Sequence, residues 1–119
     1  MHGRVLTIVS SSHQGLLSHG CVSFLPTLVS SSAETYHEQL PKFQRMRKEV
    51  SGGAVATGLH LEGPYMNLAK KGAHNSDNLT DPVTKSVEEL YAPLDGVQLV
   101  TLAPELPGRC VDATIEAFC

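Results

Sequence analysis

The sequence predicts an α/β fold built on a parallel sheet. Short β-branched runs alternate with helix-like stretches along the chain, the pattern that strand-crossover-strand units leave. One run, Ala54 to Leu61, is largely apolar and stops abruptly at Gly63-Pro64, as a parallel strand covered on both faces would. The length of 119 residues fits one domain. A chain of this size can bury roughly two thirds of its unfolded surface, so a core is feasible without disulfides or metals.

The elements follow in order. Val5 to Val9 reads as a strand. Gln14 to Gly20 reads as a short helix closed by Gly20, a residue suited to the left-handed C-terminal position. Cys21 to Phe24 is a second short strand, stopped by Pro26. Ser31 and Glu34 have capping-box spacing ahead of a helix from about Ala33 to Val50. Tyr36, Leu40, Phe43 and Met46 recur every three or four residues and form its apolar face. Pro41 interrupts that face and is expected to bend the helix. Lys42, Arg45, Arg47 and Lys48 gather near its end, a solvated basic face that complements the helix dipole. Ser51-Gly52-Gly53 is a loop, and the Ala54–Leu61 strand follows. Tyr65 to Thr80 is a long irregular segment, of a length that is usually functional or disordered. Asp81-Pro82 places an N-cap before a first-turn proline and starts a helix to about Tyr91. Val97 to Leu102 is another strand, and Val111 to Phe118 a final helix.

Composition excludes some functions. Nine Lys and Arg against 12 Asp and Glu give a formal net charge of −3, which supplies no field for nucleic acid or an anionic membrane. Hydrophobic residues at 41% and charged residues at 18% suit a soluble globular domain rather than a disordered tail. No run approaches the roughly 18 apolar residues of a membrane-spanning helix, and Val5–Val9 is short for a signal-peptide core. Cys21, Cys110 and Cys119 stand apart with no CxxC pair, which points to a reducing, cytoplasmic setting. The nucleotide cradles and the G-x-S-x-G nucleophile elbow are absent.

The chemistry-bearing residues cluster after the central strand. In Gly58-Leu59-His60-Leu61-Glu62-Gly63-Pro64, alternation puts His60 and Glu62 on one face and the leucines on the other. Glu62 would lie at the strand's C-terminal end, where barrels and open α/β sheets place their active sites. A carboxylate there reads either as a ligand for a divalent cation or as an ion-paired residue at a loop edge. His60 reads as a core histidine or as a ligand. Lys70-Lys71-Gly72-Ala73-His74-Asn75 reads as a loop able to close over an anionic or hydroxyl-rich ligand, or as an ordinary polar surface loop.

Three stretches in order carry a resemblance. His60-Leu61-Glu62-Gly63-Pro64-Tyr65-Met66-Asn67 with Lys70-Lys71-Gly72-Ala73-His74 resembles a signature of the N-acetylglucosamine-6-phosphate deacetylases, members of the metal-dependent amidohydrolase superfamily. Gly20-Cys21-Val22-Ser23-Phe24-Leu25-Pro26-Thr27 resembles the family's G-x-T-S-x-x-P-T strand. Val100-Thr101-Leu102-Ala103-Pro104-Glu105 resembles its V-T-L-A-P-E strand. The likeness runs from about His19 to Leu106, so residues 19–119 are read as a partial barrel domain and residues 1–18 as a poorly matched N-terminal segment.

The resemblance implies a (β/α)₈ TIM barrel, of which this chain holds only the early strands. It implies hydrolysis of the acetyl group from N-acetylglucosamine 6-phosphate, giving glucosamine 6-phosphate and acetate. By the same resemblance Glu62 is a metal ligand, for a divalent cation expected to be zinc, and Ala73 and His74 contact the substrate. The resemblance assigns His60 no comparable role, and it is left as a candidate for orienting a metal ligand. The expected partners are an amino-sugar phosphate and further copies of the chain in a homo-oligomer. A barrel of this kind needs roughly 250 residues. The family's later G-H-S and H-x-F-N-A-M motifs, which bring metal-binding histidines, do not occur in this sequence. Its general-base aspartate and phosphate-binding residues are absent too, and no motif promotes Asp77, Asp81, Glu105 or Asp112 to that aspartate. The expectation is therefore a partial family member, with a non-catalytic piece that pairs with a full-length subunit as the alternative.

Overall fold

The computed structural model describes residues 13–49, 52–91 and 93–118. The expected strand Val5–Val9, the last residue of the expected long helix, Val50, and the thiol of Cys119 lie outside the described residues. Residues 13–18 are helical (α1). The segment closes as Gly20 foretells. The Gly20 N–H bonds the Leu17 carbonyl at 3.0 Å, the Cys21 N–H bonds the Leu16 carbonyl at 3.0 Å, and Gly20 sits at φ +82°. The nested pair satisfies the helix's last carbonyls in a backbone conformation that glycine adopts freely.

Two of the three strand runs are interrupted. The first comprises β1 (Ser23–Phe24) and β2 (Thr27–Val29), broken at Leu25-Pro26. Proline has no N–H for a ladder, yet the chain resumes as strand immediately, where the sequence reading stopped it. The second comprises β3 (Val55–Ala56) and β4 (Leu59–Glu62); the third is β5 (Val97–Thr101). All pairings are parallel: β1 with β3, and β2-β4-β5 as a three-stranded sheet in chain order.

The break between β3 and β4 is a bulge. The Thr57 N–H bonds the Phe24 carbonyl at 3.1 Å, and the next bond runs from the His60 N–H to the Pro26 carbonyl at 2.9 Å. Acceptors advance two residues while donors advance three, so one residue is extra. Gly58 lies in the bulge because Gln98 crosses it: a Cβ there would stand 2.0 Å from the Gln98 Cγ. The extra residue also reverses the pleat. Ala54 and Ala56 are buried before it, Leu59 and Leu61 after it. The apolar run Ala54–Leu61 is thus two alternating halves out of phase. It is covered on one face, not on both as its composition suggested.

The covered face packs on helices. Leu28, Leu59, Leu61 and Val97 meet Tyr36, Leu40 and Phe43 of α2 (Ala33–Glu49), Val87, Leu90 and Tyr91 of α3 (Val87–Tyr91), and Cys110 of α4 (Cys110–Phe118). Burial pushes the Cys110 thiol up from its ordinary pKa, and Cys21 and Cys110 are both free. On the other face the Val29 side chain is 53% exposed and Leu99 47%, beside His60 and Glu62. No helix among the described residues is long and apolar enough to cross a membrane.

The helix caps differ from expectation by small steps. α2 is capped by Ser32, not Ser31. The Tyr36 N–H bonds the Ser32 carbonyl at 3.1 Å and the Thr35 N–H reaches the Ser32 Oγ at 3.4 Å. The Ser31 hydroxyl instead donates to the Val29 carbonyl at 2.8 Å. In the basic cluster Lys42 pairs with Glu38 one turn earlier, and Arg47 donates to the Thr57 carbonyl at 3.2 Å. Asp81 closes a turn rather than a helix, its carboxylate accepting the Val83 and Thr84 N–H groups at 2.9 Å each. Helix α3 starts six residues later behind a capping box: the Ser86 Oγ accepts the Glu89 N–H at 3.2 Å, and the Glu89 Oε2 accepts the Ser86 N–H at 2.8 Å.

Three buried tyrosines join the helices to the end of β4. Tyr36 and Tyr65 each meet Tyr91 edge-on, with ring centroids 5.0 and 5.9 Å apart. The Tyr91 hydroxyl donates to the Gly63 carbonyl at 2.8 Å, and the Tyr65 hydroxyl to the Lys85 carbonyl at 2.6 Å. The Tyr36 hydroxyl accepts the Ser31 N–H at 3.1 Å and lies 3.4 Å from the Gly63 carbonyl. Burial pushes all three phenols far above their ordinary pKa, so they remain donors at any working pH.

Two variants test this framework. Tyr91→Phe deletes a buried donor and should cost about 1–2 kcal/mol in urea unfolding. Ser86→Ala opens the α3 capping box and should cost about 0.5–2 kcal/mol in the same measurement.

Candidate functional site

Strands β2 and β4 end side by side, with Val29 paired to Glu62. Ser30 follows one strand and Gly63-Pro64, joined by a cis peptide, follows the other. Gly63 sits at φ +79°, and a Cβ there would stand 2.2 Å from the Ser30 Oγ and 2.9 Å from the Met66 Cγ. Only glycine leaves room for the serine.

The segment 65–80 is a tied loop, not a disordered one. Asn67 caps a 3₁₀ turn, Leu68–Lys70, by accepting the Ala69 N–H at 2.9 Å. Asn75 caps a second, Ser76–Asn78, by accepting the Asp77 N–H at 3.1 Å. The Asn78 amide donates to the Ser30 carbonyl at 3.1 Å, and the Thr80 N–H to the Pro64 carbonyl at 3.2 Å. The Lys71 Nζ donates to the His74 carbonyl at 2.9 Å.

These ties lay His74 over the end of the sheet. Its Nε2 stands 3.6 Å from the Glu62 Oε1, and its Nδ1 stands 2.8 Å from the Ser30 Oγ. The His74 side chain is 11% exposed and that of Glu62 38%, so the imidazole is the enclosed partner and the carboxylate the open one. Both line a cleft of about 690 Å³ at the C-terminal ends of β2 and β4, together with Val29, Ser30, Met66, Lys70, Lys71, Gly72, Ala73 and Asn75.

Glu62, Ala73 and His74, the three residues singled out in the sequence, therefore share one cleft. His60 does not join them. Its Nδ1 meets the Thr27 Oγ1 at 3.0 Å and its Nε2 the Thr101 Oγ1 at 2.8 Å, so it clasps three strands. Lys70 is largely exposed and 3.8 Å from Glu105. That carboxyl is held below its usual range by a backbone amide, then by the Asn67 amide that donates to it at 2.9 Å. Ser30 escaped the sequence reading; its signal was its place directly after a strand that ends beside Glu62.

As a metal centre the cleft is incomplete. A catalytic zinc takes three protein ligands. Among the described residues no group of three or more His, Cys, Asp or Glu side chains is placed to hold a metal ion. Glu62 and His74 are the two such groups that meet in this cleft.

Comparison with known proteins gives this geometry a family. No protein-family profile matches the chain. It is 45% identical over 94 residues to human N-acetylglucosamine-6-phosphate deacetylase, covering 76% of this chain and 23% of that protein. It is 39% identical over 107 residues to the enzyme of the same name from Caenorhabditis elegans, covering 87% of this chain and 25% of the relative. The chain is a relative of the N-acetylglucosamine-6-phosphate deacetylases. Its fold matches a crystal structure of N-acetylglucosamine-6-phosphate deacetylase from Pasteurella multocida with a TM-score of 0.64 at 27% identity, covering 86% of this chain and 26% of that one. The chain spans about a quarter of the length of the deacetylases it matches.

The tight meeting of Gly63 and Ser30 makes a prediction. Gly63→Ala places a methyl against the Ser30 hydroxyl in a left-handed backbone. It should destabilise the fold by about 1–3 kcal/mol in denaturant unfolding. The amide resonances of loop 72–75 should move with it, because His74 hangs on Ser30.

Proposed function

We propose that this chain contributes part of an active site that removes the acetyl group from N-acetylglucosamine 6-phosphate, giving glucosamine 6-phosphate and acetate. The observation that carries the reading is the juxtaposition of Glu62 with Ala73 and His74 in one cleft at the strand ends. Those are the positions the family resemblance marks for a metal and for the sugar. The surrounding architecture is proposed to be a (β/α)₈ barrel, with residues 19–119 as its early part. Strands in chain order with helices packed on one face support that reading.

In this reading Glu62 gives one carboxylate to a divalent cation, zinc being the expected ion. Ala73 and His74 hold the sugar, and Lys71 fixes the loop that carries them. A bound cation of this kind polarises the amide carbonyl and lowers the pKa of its water. The residues present do not complete its coordination, so no hydrolytic step is assigned to this chain's own side chains. The setting is proposed to be cytoplasmic, in amino-sugar metabolism, with association between copies.

A second reading has its own observation. Val29 and Leu99 are about half exposed on the sheet face opposite the helices, and β2 and β5 have no outer partner among the described residues. Open edges pair with other strands. A non-catalytic chain that docks on a full-length subunit would use that face.

Titrating the 119-residue chain with N-acetylglucosamine 6-phosphate, followed by amide chemical shifts, tests the first reading. Shifts should centre on Gly72, Ala73 and His74 and weaken at least tenfold in affinity with His74→Ala. Shifts confined to other surfaces would discard the sugar site. Acetate release with added zinc should be absent from the chain alone. Turnover that disappears in Glu62→Gln would show instead that copies of the chain complete the site among themselves.

A further inference from the structure

We infer that Glu105 is a positioning residue of the cleft: its carboxylate clips the turn that begins at Asn67 to the chain leaving β5, and so holds the loop that carries Ala73 and His74. The inference rests for its functional meaning on the reading of those two residues as sugar contacts.

The clip continues the sheet. Glu62 pairs with Thr101 in the last rung between β4 and β5. Beyond it the Gly63 N–H bonds the Thr101 carbonyl at 2.9 Å, and the Ala103 N–H bonds the Tyr65 carbonyl at 2.7 Å. Two residues further along each chain, the Asn67 Nδ2 donates to the Glu105 Oε1 at 2.9 Å. A side-chain bond takes the place of the next rung. The stretch Val100 to Glu105 sends no residue into the lining of the cleft, yet it reaches the cleft's loop through this contact.

Both ends of the Asn67 amide are committed. Its Oδ1 accepts the Ala69 N–H at 2.9 Å and caps the turn Leu68–Lys70, so Nδ2 is the end that faces Glu105. That turn has no buried residue, so polar contacts rather than apolar packing must fix it. Glu105 supplies two of them, the Asn67 bond and the Lys70 Nζ at 3.8 Å. The first is charge-assisted, a class roughly twice as strong as neutral bonds. The second joins two exposed side chains beyond hydrogen-bond distance and is screened by salt, so it adds little. From Lys70 the chain runs straight to Lys71, whose Nζ donates to the His74 carbonyl at 2.9 Å. Glu105 sets the near end of the loop, and Ser30 receives His74 at the far end.

Hydrogen exchange of backbone amides in the ligand-free 119-residue chain tests the clip. Asn67→Asp keeps a capping oxygen for Ala69, since aspartate caps as well as asparagine, but it turns an acceptor toward the Glu105 carboxylate. Protection of the Lys70 and His74 amides, which bond within the loop, should fall at least about fivefold. Leu59 and Leu61 in β4 should stay within about twofold of wild type. Combining Asn67→Asp with Glu105→Gln restores a donor and an acceptor in the opposite order, and should return the loop amides to within about twofold of wild type. Lys70→Ala should leave His74 within about twofold. An Asn67 that only capped its turn would show wild-type protection in Asn67→Asp, and that result would overturn the inference. So would a double variant no better protected than Asn67→Asp, or an equal loss at Leu59 and Leu61. If Asn67→Asp does not fold, Glu105→Ala decides: it removes the acceptor alone, and the loss must again be confined to the loop. Titrating the same proteins with N-acetylglucosamine 6-phosphate separates the two claims. Affinity should fall at least about threefold in Asn67→Asp and return in the double variant. A sugar that leaves Gly72, Ala73 and His74 unmoved in the wild type defeats the sugar-contact reading, whereas the ligand-free exchange judges Glu105.

Discussion

The carbonyl of Gly63 is the point on which the architecture turns. It is buried at the end of the central strand, beyond the last rung of the sheet, where a backbone acceptor without a partner would cost about 1–3 kcal/mol. Tyr91 reaches it directly at 2.8 Å, and Tyr36 stands behind at 3.4 Å. Those two rings come from different helices and stack edge-on, 5.0 Å apart. One carbonyl thus fixes where α2 and α3 sit relative to β4. The same residue, through its missing side chain, also makes the room that Ser30 occupies on the opposite side. Core and cleft are set by the two sides of a single glycine.

Much of the covered half was legible in the sequence because its signals are periodic and local. The spacing of Tyr36, Leu40 and Phe43 gave the buried stripe of α2 whatever lay across from it. Gly20 announced the end of α1, and the Ser86–Glu89 box stood in the sequence unread while Asp81-Pro82 drew attention to the earlier turn. What local reasoning missed was phase. The run Ala54–Leu61 looks apolar throughout only because a bulge at Gly58 shifts the alternation by one. What keeps position 58 a glycine is Gln98, forty residues away. No window along one strand contains that information.

The cleft divides in the same way. Glu62 and His74 were found because the residues around them resemble a known signature, and the structure brings them within 3.6 Å across eleven intervening residues. Ser30 was invisible to both routes. It belongs to another strand, carries no charge, and acquires meaning only when the loop has folded back over it. Side chains that carry charge or bind metal are conspicuous in a sequence; a serine that braces an imidazole becomes conspicuous only in three dimensions.

The clasp formed by His60 bears on the uncovered face. Both ring nitrogens are engaged, one by Thr27 and one by Thr101. The imidazole therefore asks nothing of the surface that meets it. Whatever layer comes to lie on Val29 and Leu99 can shed water over this histidine without leaving a ring nitrogen unsatisfied. The middle of the open sheet is polar in composition and yet already self-sufficient, which makes it a surface able to pass from wet to dry with little electrostatic penalty.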